Sequence, residues 1–124
     1  MKPFNPELCP LVVVNRPEYF NGQRWQTLEA YEDNHVTQER RVFKLRVYLT
    51  ASGKPSRTRA HTLEVFTAYG YDDTRRNWGT TGSGSQHYEP PFSEAVALMG
   101  TISKLAGKFD QYRGTATYYR SGKP

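Results

Sequence analysis

Seven cations, Arg40, Arg41, Lys44, Arg46, Lys54, Arg57 and Arg59, crowd into the stretch from Glu39 to Arg59. Guanidinium and ammonium groups at this density hold phosphate or carboxylate oxygens through charge-assisted hydrogen bonds. Glu39 is the only acid among them, so the stretch carries +6 in a chain whose net charge is +5, and everything outside it sums to −1. A surface of this kind concentrates nucleic acid, nucleotides or acidic protein patches around itself. Tyr48 places an aromatic ring inside the cluster, and Arg75, Arg76 and Trp78 make a second, smaller grouping of the same type. Cations serve the phosphates of a nucleic-acid strand, and aromatic rings serve its bases.

Catalysis finds weaker candidates. Glu29, Glu32 and Asp33, or Asp72 and Asp73, taken with His35 or His87, have the residue types of a Mg²⁺-dependent nuclease but no recognised spacing. Acids at predicted strand ends are commonly just solvated. One thiol, Cys9, with His35, His61 and His87 cannot build a cysteine-rich zinc site, and no two histidines stand four residues apart. All three histidines are expected at the surface. No serine sits in a nucleophile elbow, and the glycine-rich piece GTTGSGSQ (79–86) is neither a dinucleotide fingerprint nor a P-loop. The RNP1 and GXXG patterns of common RNA-binding modules are absent as well, which points away from sequence-specific recognition. The expectation is a non-enzymatic protein without cofactor or metal.

The elements that must position the cations read as follows. Residues 1–10, with Pro3, Pro6 and Pro10, form an irregular arm, and Leu11 to Val14 is a short β-branched strand expected at a sheet edge. Asn21-Gly22 is a hairpin turn, followed by a strand from Gln23 to Tyr31 and a polar loop from Glu32 to Gln38. From about Arg41 to Ala51, Phe43, Leu45, Val47 and Leu49 alternate with Lys44, Arg46, Tyr48 and Thr50, the period of two that separates the faces of a strand. The breakers Ser52 to Ser56 open a loop that carries Lys54, Arg57 and Arg59, and a second alternating run follows through Leu63, Val65, Thr67 and Tyr69. Ordinary cross-strand pairing of Lys44 and Arg46 with Glu64 and Glu39 accounts for part of the charge but not for the loop.

Residues 71–89 are expected to be a flexible glycine-rich loop. A helix from about Pro91 to Tyr112 follows, with Ser93 as N-cap, Glu94 in its first turn and an apolar stripe of Ala95, Leu98, Ile102, Leu105, Phe109 and Tyr112. Gly100 and Gly107 within it suggest close approach to another backbone. Thr115 to Arg120 can pair as a last strand, and 121–124 is a frayed tail.

The 124 residues therefore predict one α+β domain: an antiparallel sheet of four to five strands with one long C-terminal helix packed on one face. The other face is left to Lys44, Arg46, Tyr48, Glu64 and Phe66. A lone cysteine favours a reducing, cytoplasmic setting, and no membrane partner is expected. The expected function is binding of a polyanion, nucleic acid or nucleotide, through the basic hairpin and without sequence specificity. The alternative is a protein-binding module or inhibitor, such as an accessory protein of a mobile element or phage, docking on an acidic partner.

Overall fold

The structure, a computed structural model, describes residues 4–69, 71–72, 77–78, 85–111 and 117–120. Its strands are β1 (Leu11–Val14), β2 (Glu18–Phe20), β3 (Gln23–Asn34), β4 (Glu39–Leu49), β5 (Thr62–Tyr69), β6 (Tyr71–Asp72), β7 (Asn77–Trp78) and β8 (Gln86–Tyr88). Helix α1 (Phe92–Lys108) comes next, then β9 (Phe109–Gln111) and β10 (Thr117–Arg120). All but β6 and β7 form one antiparallel sheet in the order β8-β5-β4-β3-β1-β10-β9, with β2 paired to β3 beside β1. The expected α+β architecture holds, and the sheet reaches eight strands because strands of three or four residues join its margins.

Alternation dictates the layers. On β4, Phe43, Leu45, Val47 and Leu49 are buried while Lys44 and Arg46 are exposed. The register sets Leu28 and Ala30 of β3 and Leu63 and Val65 of β5 beside those buried residues, and Ile102 of α1 completes the same core. Phe43 lies between Ala30 and Val65, the small side chain leaving room for the large one.

Several local expectations give way to tertiary structure. The N-terminal arm is not irregular throughout: Pro6–Leu8 form a 3-10 turn capped by the Asn5 side chain, Phe4 meets the Phe43 ring edge-on at 5.4 Å, and Cys9 is wholly buried. Between arm, sheet and helix lies a pocket of about 250 Å³, open to solvent and lined by Phe4, Pro6, Phe43 and Leu98 among others. β1 is not an edge strand, since β10 covers its outer side. Between β1 and β2 the register against β3 moves by one residue, so Asn15 to Pro17 form a bulge where Pro17 lacks an amide to donate. Asn21 and Gly22 both have positive φ, 51° and 76°, which suits the tight hairpin read from the sequence. β3 runs on to Asn34, past the expected loop boundary at Glu32, because Glu32 and Asp33 pair across the ladder with Arg41 and Arg40.

Helix α1 starts from Pro91, with no side-chain cap, so Ser93 lies inside it. It stops at Lys108 and not at Tyr112, because Phe109 turns extended (φ −107°, ψ 156°) and enters the core from β9. Tyr112 itself lies outside the described residues, as do 121–124. A Cβ at Gly100 or Gly107 would meet nothing within 4 Å, so neither glycine marks a close approach. Gly100→Ala should therefore stabilise the protein by about 0.5–1 kcal/mol through helix propensity alone, read as a higher urea midpoint with unchanged slope. A destabilised variant would mean that the glycine is sterically required. No helix among the described residues is long and apolar enough to cross a membrane.

Candidate functional site

The β3–β4–β5 register sorts the predicted cations onto two faces. Lys44, Arg46 and Tyr48 share the face opposite α1 with Trp25, Thr27, Glu29 and Tyr31 of β3 and Thr62, Glu64 and Phe66 of β5. Arg41 lies on the helix face, bound to Glu32 at 2.8 Å with its guanidinium 4.7 Å from the Phe43 ring centre. Arg40, on the sheet face, is clamped by Asp33 through two hydrogen bonds, 2.6 and 3.1 Å. Among the described residues the ion pairs thus use Glu32 and Asp33, not the expected Glu39 and Glu64. Glu39 pairs in register with Asn34 and Tyr69, far along the strand from Arg46, and Glu64 neighbours Lys44 without an ion pair.

The loop after β4 is tighter than its sequence suggests. Thr50 N–H donates to Lys54 O at 2.7 Å and Ser56 N–H to Tyr48 O at 2.8 Å, so the chain turns at once and runs back along the strand end. Ser56 Oγ then accepts the amides of Thr58 and Arg59, both at 3.2 Å, closing a second turn. This sends neighbouring arginines to opposite sides. Arg59 covers the Tyr48 ring at 4.4 Å on the sheet face, and Arg57 covers Phe92 at 4.3 Å at the start of α1. Lys54 stays exposed in the first turn.

His61 holds this arrangement and is not the surface residue expected of it. The imidazole is 2% exposed, its Nδ1 accepts the Tyr48 amide at 3.0 Å, and its Nε2 lies 2.9 Å from Ser56 O. An accepting Nδ1 requires the proton on Nε2, so His61 donates to Ser56. Both nitrogens are consumed in joining the strand carrying Tyr48 to the loop carrying Arg59. Nothing local in the sequence marked this role; the residue's place two before Leu63, on the buried parity of β5, is the signal that could have done so.

Among the described residues, four cation–aromatic pairs occupy the sheet face: Arg46 over Trp25 at 5.3 Å, Arg59 over Tyr48 at 4.4 Å, Lys44 over Phe66 at 5.4 Å and Arg40 over Tyr31 at 5.2 Å. They differ in electrostatic setting. Lys44 has Glu29 and Glu64 as its cross-strand neighbours, and Arg40 is neutralised by Asp33. Arg46 stands between Thr27 and Thr62, and among the described residues neither Arg46 nor Arg59 forms an ion pair. Charge therefore segregates along the ladder. The end built from residues 15–27 and 46–62 holds Arg16, Arg24, Arg46, Lys54, Arg57 and Arg59 against Glu18, whereas residues 28–45 and 63–67 hold Glu29, Glu32, Asp33, Glu39 and Glu64 against Arg40, Arg41 and Lys44.

Arg75 and Arg76 lie outside the described residues, as do most of 70–85; Trp78 is described only as backbone in β7. Of the acids weighed for catalysis, Glu32 and Asp33 fall on opposite faces, each bound to an arginine, and the Glu29 carboxylate accepts the Tyr31 hydroxyl at 2.7 Å. No three His, Cys, Asp or Glu side chains among the described residues are grouped to hold a metal ion. No protein-family model matches this chain, and neither a curated protein nor a solved structure matches it.

Proposed function

We propose that this protein binds nucleic acid, without catalysis and without sequence specificity, through the cationic end of the sheet face opposite α1. The observation that carries the reading is the pairing there of Arg46 and Arg59, guanidinium groups free of ion pairing among the described residues, with the rings of Trp25 and Tyr48. Phosphates answer the first and bases the second. No side chain in this corner belongs to a recognition helix that could enter a groove, which suits backbone-led binding.

Arg57 and Arg24 belong to the helix side, so about two to four of the cations at that end reach phosphates at one time in this reading. The expected salt dependence on single strands is then a loss of about 1.4–2.8 in log K per decade of salt, by counterion release. Fluorescence anisotropy of labelled oligonucleotides across a salt series measures it directly. A flat salt response, or no binding at low salt, would overturn the proposal. Binding instead to an acidic protein surface would leave oligonucleotides unbound.

A further inference from the structure

We infer that the corner formed by Trp25, Tyr48, Arg46, Arg59 and Phe20 is a stacking site for unpaired bases, so that the ligand is single-stranded nucleic acid. The inference rests on the nucleic-acid reading and narrows it. Trp25 and Tyr48 are register partners on adjacent strands, which places two rings side by side on one surface. Phe20 pairs with Gln23 at the hairpin tip, on the same face, and is 65% exposed. An aromatic side chain this exposed on a two-residue turn contributes nothing to the core, yet it extends the row of rings beyond the sheet.

Arg46 and Arg59 show what the rings accept. A guanidinium is a flat, delocalised group, and each already lies against an aromatic ring, 5.3 and 4.4 Å from the ring centres. Neither is fixed by a carboxylate among the described residues, and Thr27 and Thr62 on either side of Arg46 are short. Each can swing off its ring, yield the ring to a base, and keep its charge within reach of the adjoining phosphate. The Trp25 indole N–H, closed off from solvent and without an acceptor, is the only such buried side-chain atom among the described residues.

A duplex cannot use these groups, because its bases are stacked on one another and unavailable to a ring. A few steps along the ladder, Glu29 and Glu64 flank Lys44 and oppose phosphates, which limits the stacked segment to the corner. About two or three bases fit, as on other sheets that stack unpaired bases.

The test compares the intact protein with four probes of equal length, an oligothymidylate, an oligouridylate, an abasic oligonucleotide and a duplex; the duplex carries about twice the phosphate charge of the others, so charge alone would favour it. Both base-bearing single strands should bind about tenfold or more tighter than the abasic strand and the duplex. Trp25→Leu and Tyr48→Leu should each erase most of that preference, bringing the base-bearing strands to within about threefold of the abasic strand measured on the same variant. Equal binding of the abasic and base-bearing strands, or tighter binding of the duplex, overturns stacking but leaves polyanion binding standing. Failure to bind any probe overturns the broader reading as well. Should a leucine variant fail to fold, the wild-type comparison decides alone, and Phe20→Ala, at the exposed tip, provides the mutational arm with an expected drop of about threefold for the base-bearing strands.

Discussion

Phe43→Ala should lower the stability of the protein by about 3–5 kcal/mol, seen as a reduced urea midpoint with little change in slope. The ring is wholly buried and is held by Ala30 and Val65 in register, by the edge of Phe4 and by the Arg41 guanidinium. Truncation removes the transfer free energy of the ring and also deepens into the core the open pocket that Phe43 already lines. The surrounding backbone belongs to the two longest strands, which pair over eleven residue positions and cannot collapse inward to fill the space. Against a typical total of about 5–15 kcal/mol, such a loss approaches unfolding. Phe20→Ala, at the exposed tip, should shift stability by less than about 0.5 kcal/mol. A loss under about 1 kcal/mol at Phe43 would place the centre of the core elsewhere.

Reversing both corner arginines, Arg46→Glu with Arg59→Glu, should weaken nucleic-acid binding about a hundredfold or more in low salt. A hydrogen bond to a charged group contributes about 1.5–3 kcal/mol, two are lost, and each new carboxylate also repels phosphate. The Trp25 and Tyr48 rings lose their cations but not their places, since Trp25 is held by the ladder and Tyr48 by the His61 link. The double variant should therefore keep its thermal midpoint within a few degrees. Lys44→Gln is the matched control on the same strand and face. With Glu29 and Glu64 beside it, Lys44 contributes little net field, and its loss should change affinity by less than about threefold. Equal effects from the two variants would show that net charge, and not the corner, governs binding.

The fold was legible wherever the determinants are local. The alternation from Phe43 to Leu49, the Asn21-Gly22 turn and the helical stripe from Ala95 to Leu105 each announce an element, and all three stand in the structure. Partners distant in sequence were not legible. Cys9 reads as a thiol in a proline-rich arm, yet the arm folds over the sheet and buries it; β1 reads as an edge because nothing local says that β10 will pair with it. The same division runs through the candidate site. Arg46, Tyr48 and Arg59 could be picked out by charge and period, but Trp25 could not, because either parity of β3 mixes polar and apolar residues and only the register with β4 decides which faces the helix. Arg57 and Arg59 look equivalent in sequence and end on opposite sides of the molecule, separated by a turn that Ser56 closes.

The strand lengths carry one more consequence. β3 and β4, of twelve and eleven residues, lie inside the sheet, while the outermost strands, β8 and β9, have three residues each. A long strand at a margin is a row of unpaired amides and carbonyls that another sheet can join, and an aromatic face invites such stacking. Here the two longest rows are spent internally, and among the described residues the longest stretch of a margin without a neighbouring strand is Phe66–Tyr69 of β5, past the end of β8. The protein can thus carry tryptophan, tyrosine and phenylalanine on one sheet face while giving edge-to-edge growth only a short row to join.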